Sequence, residues 1–199
     1  MTRIGGVVLC GGRSSRMGRP KAWLPVGDEV MLQRVVRVLR TVLSPVVVVA
    51  ATGQDVPELP ADVIVTRDEI EGKGPLGGLS AGLAVLGDRA DAVYVSACDV
   101  PFLTAEFVAR MASFLTADVD IVVPDVGGYK HPLAAIYRTT VAGEVAMLLA
   151  ADRLRPVFLF DAVRTRVVTA SELGDAVSLR NVNTPEEYAV VLAEIPTED

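Results

Sequence analysis

The sequence predicts a three-layer α/β fold: a mostly parallel sheet with helices on both faces. Three observations point to it. Short β-branched runs alternate with stretches whose apolar residues recur at helical spacing, from one end of the 199 residues to the other. Residues 46–50 (VVVVA) are apolar without a break, the pattern of a strand covered on both faces in a parallel sheet. The loops richest in glycine and charge follow such runs directly, and open α/β sheets hold their ligands at the carboxyl ends of strands.

Taken in order, residues 4–9 (IGGVVL) form the first strand. Residues 30–43 place Leu32, Val35, Val36, Leu39, Val42 and Leu43 at helical spacing, with Arg34, Arg37 and Arg40 on the other face. The strand at 46–50 follows, then a shorter one at 62–66 that is expected nearer an edge. Residues 75–86 are rich in glycine and alanine at helical spacing, which predicts a helix packed closely on its neighbour. A buried strand at 91–97 leads to Thr104, an N-cap with Glu106 in the first turn of a helix running to about residue 115. Strands are expected at 119–124, 132–138 and 166–169, and a helix at 139–150. The apolar run at 156–163 fits either a helix or a strand and is read as a helix. Thr184, Pro185, Glu186 and Glu187 have the form of an N-cap, a first-turn proline and acidic residues on the helix dipole. They open a last helix to about residue 195.

Composition narrows the function. No linker or repeat divides the chain, so one core is expected. No apolar run approaches the ~20 residues that span a bilayer. A net charge of -6 argues against a nucleic-acid partner, whose footprint is a basic face. Two cysteines and one histidine cannot build a thiolate or imidazole cage, so any metal should be a hard cation on carboxylate and phosphate oxygens. The N-terminus shows no basic segment followed by an apolar stretch and a cleavage site, and the cysteines form no disulfide framework. The expected location is the cytoplasm.

Chemistry concentrates in VVLCGGRSSRMGRPK, residues 7–21. Gly11 and Gly12 follow a buried strand and let backbone N–H groups approach a ligand. Arg13, Arg16, Arg19 and Lys21 crowd together in an acidic chain, which points to a polyphosphate. The Walker A register is broken by Met17-Gly18-Arg19-Pro20-Lys21, and the spacing of the dinucleotide fingerprint is absent. What remains is a glycine loop around a triphosphate, with Arg16 and Lys21 supplying charge. Asp99, directly past the strand at 91–97, puts one carboxylate at the mouth of the sheet. That suits Mg²⁺, which takes one or two protein carboxylates and completes its shell with phosphate and water; capping the next helix is the other role open to it. In DEIEGKGPLGG, residues 68–78, the glycines allow backbone to lie against a flat ligand, and Asp68 can accept from a ribose or a base. His131, Arg153 and Arg155 are candidate contacts for a second substrate, although lone histidines and loop arginines commonly serve structure alone. Asn181 and Asn183 sit beside a helix N-terminus, a ready anion or metal-water site, although plain capping by Thr184 explains half of that pattern.

The run LCGGRSSRMGRPK resembles the phosphate loop of small nucleotidyltransferases. Taken with DEIEGKGPLGGL, CDVPF, KHPLAAIYR and NVNTPEE, it resembles the molybdenum cofactor guanylyltransferases, the MobA-like family, from Gly6 to about Tyr188. The resemblance implies a three-layer Rossmann-like nucleotidyltransferase fold in a single domain, residues 1–199, with a nucleotide-binding N-terminal half and an acceptor-binding C-terminal half. It implies transfer of GMP from Mg-GTP to the phosphate of molybdopterin, giving the guanine dinucleotide cofactor and pyrophosphate. Carried onto this chain, Leu9, Cys10, Gly11, Gly12 and Lys21 would hold GTP, and Thr52, Asp68, Gly74, Pro75, Leu76 and Gly78 would surround the nucleoside. Asp99 would hold Mg²⁺, and Lys21, Arg16 and Asp99 would be the catalytic group. His131, Arg153, Asn181 and Asn183 would face the molybdopterin phosphate. Proteins that deliver molybdopterin or mature molybdoenzymes are implied partners. This chain reads Ala50-Ala51-Thr52 where relatives often carry an asparagine, and Cys10 stands where alanine is usual. Within the enzyme class the alternative is a CTP-dependent molybdopterin cytidylyltransferase or transfer to another small phosphorylated acceptor. Outside it, the alternative is a nucleotide-binding regulator without turnover.

Overall fold

In the computed structural model, which describes residues 2–11, 17–69, 72–174 and 176–195, strand β1 is Ile4–Leu9. A single 3-10 turn at Lys21–Trp23 and a hairpin of β2 (Pro25–Val26) with β3 (Glu29–Val30) lead into α1 (Met31–Arg40). Then come β4 (Val46–Ala51), β5 (Ile64–Asp68), α2 (Gly74–Leu86) and β6 (Ala92–Ala97). Next are α3 (Ala105–Ser113), β7 (Ile121–Val126), β8 (Tyr129–Lys130) and β9 (Ala134–Arg138). The chain closes with α4 (Ala142–Ala150), α5 (Val157–Ala162), β10 (Thr165–Thr169), α6 (Ala170–Leu173) and α7 (Pro185–Glu194).

The main sheet runs β10-β7-β9-β6-β1-β4-β5, with β8 paired to β7. β1 lies parallel to both β4 and β6, β4 to β5, and β7 to β10. Only β9 and the short β8 run against their neighbours. The expected mostly parallel sheet is therefore present, with one reversed strand inside it. The strand expected at 62–66 sits two residues later and forms the edge, and the run at 156–163 is helical, as read. The strands β2, β3 and β8 were not foreseen, because two residues carry no alternation to detect.

Alternation along the strands sends side chains to two separate layers. Val7, Leu9, Val47 and Val49 pack with Leu76, Leu79 and Leu83 of α2, Val145 of α4 and Leu159 of α5. Val8, Val46, Val48 and Tyr94 pack on the opposite face with Leu32 and Val35 of α1, Phe107 of α3 and Leu173 of α6. α2 rides unusually low on β1. A Cβ at Gly82 would stand 2.7 Å from Val7 Cγ1, so a larger residue there would lift the helix off the strand. A third cluster joins Val182 and Val191 near the C-terminus to Leu24, Val26 and Met31. Thr104 caps α3 by accepting from the Phe107 N–H, and Thr184 caps α7 by accepting from the Glu187 N–H. With Thr104 in that role, Asp99 is not the cap of α3.

Candidate active site

Because β1, β4, β5 and β6 are parallel neighbours, their carboxyl ends lie side by side. The loops leaving them wall a cavity of about 690 Å³. Hydrogen bonding carries the sheet one residue further at its floor. The Cys10 N–H donates to Val49 O at 2.8 Å, and the Cys98 N–H donates to Leu9 O at 3.2 Å. Gly11 then marks the mouth.

One wall rises from β4, β5 and the start of α2. The Thr52 hydroxyl donates to the Asp68 carbonyl at 3.1 Å, tying the two loops together. Gly72 and Gly74, at φ 80 and 59, occupy left-handed backbone that side chains strain. The helix expected at 75–86 opens here as α2, with Pro75 in its first turn. There Gly77 makes room for the Asp68 carboxylate, whose Oδ2 would lie 2.9 Å from a Cβ, while Gly78 faces Leu9. Leu76 is corrected by the same observation: on the helix it points at the sheet and is fully buried in the core, so it does not line the cavity.

The other wall holds the charge. Lys21, in the 3-10 turn after Pro20, donates from Nζ to Asp99 Oδ2 at 2.6 Å and to Asn183 Oδ1 at 2.9 Å. The two ion-paired side chains are 18% and 12% exposed, so water screens them little. The Asp99 loop is clamped from both sides: Arg34 Nε donates to Pro101 O at 2.7 Å, and the Val182 N–H donates to Asp99 O at 3.0 Å. Asn183 is itself fixed, its N–H donating to Glu187 Oε2 at 2.6 Å. Among the described residues, the second oxygen of Asp99, Oδ1, is buried without a hydrogen-bond partner. A bare buried carboxylate oxygen is costly, and a hard divalent cation is the ligand that such an oxygen suits. Among the described residues no three His, Cys, Asp or Glu side chains cluster to hold a metal. A cation on Asp99 would draw the rest of its shell from substrate and water.

The two thiols meet at the floor. Contact with Cys98 lowers the Cys10 pKa against the opposing effect of burial, while the same contact and burial push Cys98 well up. Gln54 locks this corner, donating from Nε2 to Cys10 O at 3.1 Å and to Cys10 Sγ at 3.3 Å, and accepting from the Ala51 N–H at 3.1 Å. Sequence reasoning missed Gln54; an amide three residues past a strand end was the only signal.

The cavity gathers Leu9, Cys10, Gly11, Lys21, Thr52, Asp68, Gly74, Pro75, Gly78, Asp99 and Asn181 from the positions singled out in the sequence. Gly12 and Arg16 lie outside the described residues. Asn183 does not line the cavity; its amide oxygen is engaged by Lys21. His131 and Arg153 do not line it either. The Arg153 guanidinium lies over the Phe158 ring at 4.1 Å, an attraction that holds it in place. His131 sits edge-on to Tyr129 at 5.0 Å, and burial lowers its pKa from the usual 6.5, with Asp125 pulling the other way. A separate hollow of about 310 Å³ is lined by Tyr129, Lys130, Arg155 and Phe160, among others. From this part of the chain, Leu133 reaches the main cavity, an apolar position with no signal in the sequence.

Comparison with known proteins agrees with this architecture. A family model described as a MobA-like NTP transferase domain matches residues 6–165. The chain is 40% identical over 185 residues to the probable molybdenum cofactor guanylyltransferase of Mycobacterium ulcerans (strain Agy99), covering 91% of this chain and 89% of the relative. Among solved structures, molybdopterin-guanine dinucleotide biosynthesis protein A from Archaeoglobus fulgidus aligns with a TM-score of 0.79 at 19% identity, over 96% of this chain and 97% of that one. A manganese complex of Rv0371C from Mycobacterium tuberculosis H37Rv aligns with a TM-score of 0.64 at 22% identity, over 98% and 100%. At such identities these two structures bear on the fold alone, and the fold is shared.

Proposed function

Since the chain belongs to the MobA-like NTP transferase family and is a nucleotidyltransferase, we propose that it transfers GMP from GTP to the terminal phosphate of molybdopterin, releasing pyrophosphate. The observation that carries this reading is the meeting of the Gly11 mouth, the Lys21–Asp99 pair and the Thr52–Asp68 wall around one cavity. The curated relative named above, a probable molybdenum cofactor guanylyltransferase, supports the choice of substrates.

The chemistry asks for little covalent machinery. The acceptor is a phosphate monoester, anionic at neutral pH, so its oxygen needs no general base. That oxygen forms a bond to the α-phosphorus while the bond from the α-phosphorus to the pyrophosphate oxygen breaks in line. The protein must hold two anions together and counter the charge that gathers between them. Lys21 supplies a cation whose position is set by Asp99 and Asn183. The backbone around Gly11, continued by Gly12 and Arg16 on the sequence reading, cradles the phosphates. Asp99 is the residue that would hold Mg²⁺, which when bound supplies Lewis-acid stabilisation of phosphoryl charge. Its bare oxygen supports that assignment.

The nucleoside is assigned to Thr52, Asp68, Gly74, Pro75 and Gly78 in the N-terminal half, and the acceptor phosphate to Asn181 in the C-terminal half of a single domain. His131 and Arg153 have no part in this reading, and Asn183 acts through Lys21. Among the described residues no helix is long and apolar enough to cross a membrane. A cytoplasmic setting, with partners that deliver molybdopterin or mature molybdoenzymes, completes the proposal. The test is incubation with molybdopterin, Mg²⁺ and either GTP or CTP, reading pyrophosphate. Faster release with GTP is expected; faster release with CTP would overturn the guanylyl assignment.

A further inference from the structure

We propose that Cys10 and Cys98 form a dithiol modification site at the floor of the cavity, which small disulfides convert to an intramolecular disulfide that closes the cavity to nucleotide. The pairing follows from sheet register. β1 and β6 are parallel neighbours aligned as Leu9 with Ala97, and the next residue on each strand is a cysteine. The Cys98 N–H still bonds Leu9 O at 3.2 Å, so the register persists to the thiols. Adjacent strands lie ~4.8 Å apart, inside the ~4.4–6.8 Å Cα separation that a disulfide bridges. Both side chains belong to the same apolar layer, on the α1 side of the sheet, so they point the same way.

Access and exclusivity complete the case. Both cysteines are buried, 5% and 7% exposed, but both line the cavity, so the cavity is the route by which a reagent meets them. They are the two cysteines of the sequence, so within one molecule each has the other as its possible partner. Gln54 donates to Cys10 Sγ at 3.3 Å, a contact that favours the thiolate and marks Cys10 as the attacking sulfur.

The reaction is thiol–disulfide exchange. The Cys10 thiolate attacks one sulfur of a low-molecular-weight disulfide, RSSR, forming a mixed disulfide as the S–S bond of the reagent breaks and RS⁻ leaves. Cys98 Sγ then attacks Cys10 Sγ, giving up its proton as the second RS⁻ is expelled. The protons given up by the two cysteines end on the two departing thiols. The net change is protein dithiol plus RSSR to protein disulfide plus two RSH, with two electrons passing from protein to reagent. The bond would tether the β1 mouth, where Gly11 begins, to the residue next to Asp99. That consequence rests on the nucleotide reading proposed above; formation of the disulfide does not.

The experiment uses the full chain, reduced, freed of reductant, and incubated with glutathione disulfide in the presence or absence of Mg-GTP. Alkylation under denaturing conditions and intact mass then report the thiols, and peptide mapping reports the cross-link. The expected product has lost two hydrogens, carries no glutathione, accepts no alkylation and reverts with dithiothreitol. Its GTP affinity should be lower by about tenfold or more, and Mg-GTP should slow its formation. In Cys98→Ala the first step should stop at a stable glutathione adduct on Cys10; should that variant misfold, the Cys10–Cys98 cross-linked peptide of the unaltered chain decides the point. Two fully alkylatable thiols after incubation, a lasting adduct on the unaltered chain, or a disulfide that leaves GTP affinity unchanged would each overturn the proposal. Failure of the reduced chain to bind GTP would instead sink the nucleotide reading, while the mass still decides the disulfide.

Discussion

Lys21 and Asp99 stand 2.6 Å apart where little water reaches, so their attraction is weakly screened. Lys21→Met should leave a buried carboxylate uncompensated and cost on the order of 3 kcal/mol, read as a fall in Tm. The double variant Lys21→Met/Asp99→Asn should regain most of that loss, the signature of a coupled pair. Asp99→Asn alone keeps the shape and should slow pyrophosphate release by about 10²-fold or more, measured at a temperature where the variant remains folded. His131 makes a different prediction. Its folded pKa lies below the unfolded value near 6.5, so the unfolded chain binds more protons just below that pH. Stability from this residue is present above pH 6.5 and is lost as the pH falls through that value toward the lower folded pKa. The Tm of His131→Gln should therefore decline less on acidification than that of the unaltered chain. Much of the residue scale was legible beforehand. Lys21 follows a proline and Asp99 ends a buried strand, positions that stand out in one dimension. Their contact was not legible, because 78 residues separate them, and the 162 between Lys21 and Asn183 hid the amide that holds the lysine.

α2 is the element on which the wall proposed to hold the nucleoside depends, and its height above β1 is set by hydrogen atoms where side chains would be. Gly82→Ala would press a methyl to 2.7 Å from Val7 Cγ1, an overpacking that typically costs about 1–3 kcal/mol. A Tm drop with a raised KM for GTP is expected, and Val7→Ala in the same chain should restore part of both. Replacing the cap at the other end of the fold, Thr184→Ala, removes the acceptor for the Glu187 N–H and should cost about 1 kcal/mol. The sequence showed these helices and both threonine caps through periodicity and punctuation. It left open what Gly77 and Gly78 face, since glycine licenses close approach to a ligand and a tight helix contact alike. The distinction lay in Leu9 and Asp68, which only the folded chain brings against them.

At the scale of the molecule, the chain folds so that Val182 and α7 return to the segment around Leu24 and Met31, which draws both ends of the sequence to the charged wall. A ligand that spans the two walls should stabilise the whole. At about 100 times its Kd, GTP with Mg²⁺ should add about 2.7 kcal/mol, seen as a rise in Tm that CTP matches poorly and a chelator removes. The layered class of the fold was readable because alternation of strands and helices is a local pattern. Strand order was not, because nothing local distinguishes β9 from its parallel neighbours. That one reversal has an outcome of its own. β9 starts beside the end of β6, with Ala134 opposite Ser96, so the excursion from β7 through β8 to Leu133 leaves and re-enters the sheet at the same rim. Such an excursion is a cassette. Replacing it whole would change what Leu133 presents to the cavity while the parallel strands that carry the other walls go untouched.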